Sequence, residues 1–228
     1  MIAVAGASGS LGPVVVERLA AGGAKLCLSG RERPKLEELA AAAGVDVDVD
    51  EVDLLDPSAT KAWADALAKR HGRIDGLVHL VGGWRGGKPI EEAPLEDWEE
   101  LSASLVRTLL HATQAFAPHL LASEHGRFVI VGSGQAQAPT NANAVYAAAK
   151  AAAETWTLAL ADRFRGSGAT ANIVVVGSIV TQAMRDESPD KDFSTFTPAE
   201  EIAEAIAYLV SDHAKSMNGQ RLTLRGSA

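Results

Sequence analysis

The sequence predicts an α/β fold: a doubly wound parallel sheet of about seven strands with helices on both faces. Three observations predict it. Short apolar runs alternate with helical stretches along nearly the whole chain. Those stretches are long enough to serve as crossovers between parallel strands. No repeat, linker or low-complexity segment interrupts the alternation, so residues 1–228 read as a single domain.

Taken in order, Ile2–Ala5 is a short apolar strand, followed by a glycine-rich turn and a helix over Pro13–Ala21. Pro13 suits a first helical turn, where its missing N–H is no loss. Lys25–Ser29 reads as the second strand and Pro34–Ala43 as the second helix. Val45–Val49 alternates valine with aspartate, the period-two pattern of a strand with one wet face. Pro57–Arg70 is helical and Ile74–Val81 is a strand. Leu95–Leu121 is one long, mostly helical stretch with Pro118 near its end. Arg127–Val131 is a strand, Asn143–Arg165 a long alanine-rich helix and Ala171–Val176 a strand. Gln182–Thr197 is polar and lacks periodicity, so it is expected to be irregular. Pro198–Leu209 is helical and Gln220–Leu224 is the last strand.

Composition excludes several classes of function. The 228 residues are 47% apolar and 22% charged, as in globular proteins. A net charge of −8 without a basic patch argues against nucleic acid and against an anionic membrane surface. The single cysteine, Cys27, cannot form an intrachain disulfide, and no Cys/His set has zinc spacing. No apolar run approaches the roughly 20 residues of a membrane span. The first residues carry no basic leader, so the expected location is cytoplasmic. Asp46, Asp48 and Asp50 lie about 7 Å apart along a strand. That is too far to share one cation, so they read as a solvated face. The six histidines are scattered and no metal site is expected.

Chemistry concentrates in two places. The first is Gly6-Ala7-Ser8-Gly9-Ser10-Leu11-Gly12, between the first strand and the first helix. Glycine permits a tight turn and close approach of a pyrophosphate, and the helix N-terminus faces the anion. At the end of the second strand stands Ser29-Gly30-Arg31-Glu32-Arg33. The acid that would bond a ribose 2′-hydroxyl is missing at Gly30, and Arg31 suits a 2′-phosphate. NADP(H) is therefore favoured over NAD(H). The alternative is that Arg31 and Arg33 are solvated loop charges, and Glu32 is placed to pair with either.

The second place is Tyr146-Ala147-Ala148-Ala149-Lys150, where residues at i and i+4 share a helix face. An ammonium beside a phenol favours phenolate, and a phenol so tuned serves as general acid/base for a carbonyl–alcohol couple. Ser133, just past a strand end and thirteen residues before Tyr146, could hold the substrate oxygen.

On these motifs the chain resembles the short-chain dehydrogenase/reductase family over nearly all of its length, with a Rossmann-like sheet implied. Gly6–Gly12 resembles the glycine motif, with Ser8, Gly9, Ser10 and Leu11 in the loop. Asp53-Leu54 resembles the acid-plus-apolar pair at the adenine. His79-Leu80-Val81-Gly82 stands where the family has Asn-Asn-Ala-Gly. Ser133, Tyr146 and Lys150 match the catalytic serine and Tyr-x-x-x-Lys pair. Asn172 through Thr181 resembles the stretch along the nicotinamide, with Val176 in place of proline. There Gly177, Ile179 and Thr181 would face the carboxamide and phosphates. Ser104 occupies the place of the family's catalytic asparagine, and the glycine spacing is G-x-x-G-x-x-G.

The resemblance implies an NADP(H)-dependent carbonyl reductase or alcohol dehydrogenase acting on a small molecule. Ser133 would hold the carbonyl oxygen and Tyr146 donate the proton. Lys150 would lower the phenol pKa and bond the ribose. A homodimer or homotetramer is implied, built on the helices Leu95–Leu121 and Asn143–Arg165. Leu105, Leu109, Trp156 and Leu160 are the spare apolar residues that suggest it. Gln182–Thr197 is expected to be a lid that closes over the nicotinamide with Met184, Phe193 or Phe196 against the substrate; the alternative is a surface excursion whose phenylalanines pack permanently on the core. Trp84 reads equally as pocket lining or core cover. A low-turnover nucleotide-sensing protein is the second reading, motivated by Ser104 and Val176. A Rossmann-like methyltransferase is a third, and it leaves the Tyr-x-x-x-Lys spacing unexplained.

Overall fold

The computed structural model describes residues 1–44 and 47–224. The first two residues of the expected strand Val45–Val49, Asp46 among them, lie outside the described residues.

The strands are β1 (Ile2–Ala5), β2 (Leu26–Gly30), β3 (Val47–Glu51), β4 (Gly76–His79), β5 (Arg127–Ser133), β6 (Thr170–Val176), β7 (Ile179–Val180), β8 (Thr197–Pro198) and β9 (Arg221–Thr223). Seven of them form one parallel sheet in the order β3-β2-β1-β4-β5-β6-β9. The order reverses direction beside β1, which opens a crevice at the carboxyl ends of β1 and β4.

The helices are α1 (Gly12–Ala21), α2 (Arg33–Ala42), α3 (Pro57–His71), α4 (Leu95–Leu101), α5 (Thr108–Ala122), α6 (Ala144–Arg163), α7 (Gln182–Glu187) and α8 (Ala199–Val210). Each strand sends successive side chains to opposite faces. Phe128, Ile130 and Ile173 meet Trp63, Leu67, Leu109 and Phe116 of α3 and α5. Val129 and Val174 meet Val15, Val16, Leu36, Ile202 and Ile206 of α1, α2 and α8. The sheet is thus covered on both faces, as its continuous apolar strands require. Asp56 caps α3 by accepting from the N–H groups of Ser58 and Ala59, and Gly72 ends it in the left-handed conformation.

Four local expectations are corrected. Leu95–Leu121 is not one α-helix. A π-helical stretch, Ser102–Arg107, separates α4 from α5, and the Thr108 N–H reaches back to the Ala103 carbonyl. The aspartates of β3 are not simply solvated. Asp48 accepts from Arg70 at 2.9 Å and lies 2.5 Å from His71, while Asp50 faces Arg70 and the Cys27 thiol. Leu105 and Leu109 are not spare, because both are buried inside the subunit. Gln182–Thr197 is not wholly irregular, since it begins with α7. Its ends are joined where β7 pairs with β8. Phe193 is buried, edge-on to Phe196 at 5.2 Å.

Among the described residues three histidines meet carboxylates from distant elements: His71 with Asp48, His119 with Asp65, and His125 with Asp212. Among the described residues no group of three or more His, Cys, Asp or Glu could hold a metal ion, and no helix is long and apolar enough to cross a membrane.

Candidate active site

A cavity of about 620 Å³ opens at the carboxyl ends of β1, β2 and β4. Gly6, Ser8, Gly9, Arg31, Asp53, Leu54, Val81, Gly82 and Ser104 all line it. Ser10 is exposed beside it, whereas Leu11 and Gly12 are buried beneath the loop.

Three glycines of the loop serve different needs. Gly6 has a φ of +78°, and a Cβ there would lie 2.9 Å from the Val81 nitrogen. A Cβ on Gly12 would lie 1.8 Å from the Ala7 carbonyl oxygen, so α1 packs on the loop only with glycine. Gly9 has one near neighbour, the Gly6 carbonyl at 3.3 Å. Its missing side chain leaves the backbone open to the cavity at the N-terminus of α1. The residues present therefore fit a pyrophosphate.

The adenosine end is equally defined. The Asp53 carboxylate accepts from the Leu55 N–H at 2.9 Å. The Leu54 carbonyl accepts from His111 Nδ1 at 2.9 Å, so α5 anchors this wall. Glu32 pairs with Lys35, and Arg33 pairs with Glu37. Among the described residues Arg31 is left without a carboxylate partner, exposed on the cavity wall. A Cβ at Gly30 would lie 2.8 Å from Ser8 Oγ and 3.4 Å from Leu36 Cδ2. A side chain at position 30 would therefore have to displace the Ser8 hydroxyl.

Ser133 ends β5 and is buried. Its hydroxyl accepts from the Gln135 N–H at 3.2 Å, and its own N–H donates to Glu154 Oε1 at 3.1 Å. Tyr146 and Lys150 lie in the first two turns of α6. Lys150 is buried, donates to the Val131 carbonyl at 2.9 Å, and holds its Nζ 5.8 Å from the Tyr146 ring centre. Burial pushes the Lys150 ammonium down to about 8, against the charge of Glu154. Burial also raises the Tyr146 pKa, helped by the Glu154 charge and opposed by the nearby Ser133 hydroxyl. This corrects the expectation of a phenol lowered by Lys150. One of the three ammonium protons goes to Val131, and desolvation of the phenol is the largest influence on its pKa.

Ser104 sits in the π-helical stretch on the cavity wall. Its hydroxyl donates to the Glu100 carbonyl at 2.9 Å, and its carbonyl accepts from the Thr108 hydroxyl at 2.6 Å. A carbonyl only accepts, so Thr108 spends its proton there and accepts from His79 Nε2 at 3.3 Å. His79 is buried, and burial together with the Lys150 charge depresses its pKa to about 3. It stays neutral, with Nδ1 unprotonated.

Past β6, Gly177 has open space where a Cβ would be. Ile179 is half-buried in β7, and the Thr181 hydroxyl accepts from the Met184 N–H at 3.3 Å, capping α7. Asn172 ties β6 to the approach of β9 through Met217 and Gln220. The register Ser133↔Val176 sets this segment beside Ser133. Trp84 lines the cavity and is 56% exposed, which favours pocket lining over core cover.

A family model described as enoyl-(acyl carrier protein) reductase matches residues 6–226. The chain belongs to the short-chain dehydrogenase/reductase family. It is similar to the 3-oxoacyl-[acyl-carrier-protein] reductase FabG of Escherichia coli K12, 26% identical over 231 residues, 98% of this chain and 94% of that protein. The gluconate 5-dehydrogenase of Gluconobacter oxydans is 28% identical over 236 residues, 98% of this chain and 92% of that protein. Among solved structures, a short-chain dehydrogenase of Burkholderia cenocepacia in complex with NADP superposes with a TM-score of 0.84 at 29% identity, covering 99% of this chain and 96% of that one. As a member of the family, the chain is an oxidoreductase of the NAD(P)-dependent kind. Glu154, Thr108 and His111 complete the site's polar framework and were not singled out for it in the sequence. Only Glu154 carried a local sign, the four-residue spacing continued from Tyr146 and Lys150.

Proposed function

We propose that this member of the family is a carbonyl reductase or alcohol dehydrogenase that prefers NADPH, uses Tyr146 as general acid/base, and acts on a small carbonyl or alcohol. The observation that carries this reading is that Ser133, Tyr146 and Lys150 gather at the carboxyl end of β5, the strand beside β4, whose following residues Leu80 and Val81 line the glycine-loop cavity. Preference for NADPH is supported by Arg31, which faces that cavity without a carboxylate among the described residues. The reading treats residues 1–228 as a single domain that works in the cytoplasm as a homodimer or homotetramer. Within residues 182–197, the exposed part from Gln182 to Asp192 is its lid, anchored by Phe193 and Thr197.

In this account Gly6, Ser8, Gly9, Ser10, Leu11 and Gly12 hold the pyrophosphate. Asp53 and Leu54 flank the adenine, and Arg31 takes the 2′-phosphate. Val81, Gly82, Gly177, Ile179 and Thr181 border the nicotinamide side. The bound nucleotide supplies the hydride. Ser133 donates to the carbonyl oxygen and orients it. Tyr146, protonated at neutral pH because burial raises its pKa, gives its proton to that oxygen as the alcohol forms. Lys150 supplies a positive charge behind the phenol and a donor for the ribose. Ser104 lines the wall and keeps its hydroxyl for the helix. The sensing alternative is weaker, because the full Ser133/Tyr146/Lys150 set has no use in binding alone.

The test is NADPH consumption with a panel of small ketones and aldehydes, repeated with NADH. Turnover with at least one carbonyl, faster with NADPH, is the expected result. Tight NADPH binding with no turnover on any carbonyl would favour the sensing protein.

A further inference from the structure

Tyr146, Lys150 and Glu154 follow one another at four-residue spacing, so they share one face of α6. Glu154 is fully buried. A carboxylate keeps its charge in such a place only if it is paired and hydrogen-bonded. Both of its oxygens are engaged. Oε1 accepts from the Ser133 N–H at 3.1 Å, and Oε2 accepts from Arg221 Nε at 2.8 Å. Gly132 makes room for it, since a Cβ there would lie 2.5 Å from Oε1. Arg221 comes from β9, at the sheet edge, and its side chain is 35% exposed.

Among the described residues, few ionisable groups surround Glu154. Lys150 and Tyr146 stand on its own helix and Arg221 on β9; neutral His79 on β4 lies near Lys150. Where β5 and β6 meet Glu154 they present Gly132, Ser133 and Ile173, none of them ionisable.

We propose that Glu154 is a positioning residue of the site: it holds the backbone of Ser133 and sets a buried negative charge on the helix face that Tyr146 and Lys150 share, a charge that Arg221 from the edge strand partly offsets. A negative charge disfavours phenolate and favours ammonium, so it acts on both groups in the same direction. The chain Arg221–Glu154–Ser133 thereby links an exposed edge strand to the proton donor. The catalytic meaning of this link rests on Tyr146 being that donor; the charge coupling does not.

The coupling is read without substrate. The chain has two tyrosines, Tyr146 and Tyr208, so phenolate absorbance titrated against pH, with Tyr146→Phe as the blank, isolates Tyr146. Glu154→Gln should move its midpoint down by about one pH unit, and Arg221→Met should move it up. The alkaline limb of NADPH-dependent reduction should shift with the same signs. A purely structural role would lower kcat and leave both midpoints alone. Unmoved midpoints, or shifts of the same sign in both variants, overturn the proposal. Should Glu154→Gln fail to fold, Arg221→Met decides alone: an unchanged or lowered midpoint overturns it. Absence of reductase activity in the wild-type protein would sink the proposed function but leave the titration readable.

Discussion

Lys150 Nζ donates to the Val131 carbonyl at 2.9 Å, deep between α6 and β5, at the cost of removing an ammonium from water. The folded chain releases this proton at about 8, whereas the unfolded chain holds it to the usual 10.5. Between those values the unfolded state binds more protons, so this group's contribution to stability rises with pH. Thermal unfolding of wild type and Lys150→Met between about pH 7 and pH 10 checks this. The wild type should gain on the variant by on the order of a few kcal/mol as pH rises. A stability difference that does not change with pH contradicts it.

Arg31 has its own consequence. If it meets a 2′-phosphate, Arg31→Ala should weaken NADPH by about 1.5–3 kcal/mol, the worth of a charge-assisted bond, and leave NADH nearly unchanged. Calorimetric titration with both nucleotides measures the difference. Equal losses, or none, would make Arg31 a loop charge only.

Much of this was legible in the sequence because it is locally encoded. The strand–glycine–helix opening, the Tyr-x-x-x-Lys spacing and Ser133 at a strand end each occupy one short segment, and the sheet follows from the alternation. What was hidden depends on pairings across long separations. Asp48 with Arg70, His111 with Leu54, and Glu154 with Arg221 join residues whose partners no local pattern reveals. The π-helical stretch at Ser102–Arg107 escaped for another reason. One extra residue in a turn barely disturbs the apolar period of Leu101, Leu105 and Leu109. The phenol pKa was misjudged because spacing shows a neighbour's charge but not the depth of burial.

The segment 182–197 divides in two. Phe193 is buried and Thr197 is held in the β7–β8 pair, while Gln182 and residues 185–192 are exposed. Hydrogen exchange should be slow at Phe193–Thr197 in both states. Across Gln182–Asp192 it should be fast in the free protein and slowed by NADPH. Slow exchange throughout, with or without nucleotide, would leave no moving lid.

Leu95 and Trp98 on α4 are exposed, at 67% and 39%, and Trp156 and Leu160 on α6 are half-buried. An exposed apolar set of this kind suits an interface between copies. Light scattering at micromolar concentration should give the mass of a dimer or tetramer. A monomeric mass refutes the assembly.

The role of Tyr146 as proton donor is tested most directly by one comparison: turnover and NADPH affinity of Tyr146→Phe against wild type, on whichever carbonyl proves a substrate. Loss of a general acid should cut turnover by about 10²-fold or more. NADPH affinity should change little, because the phenyl ring keeps its place on α6. A phenylalanine variant that retains most of its turnover would contradict the mechanism.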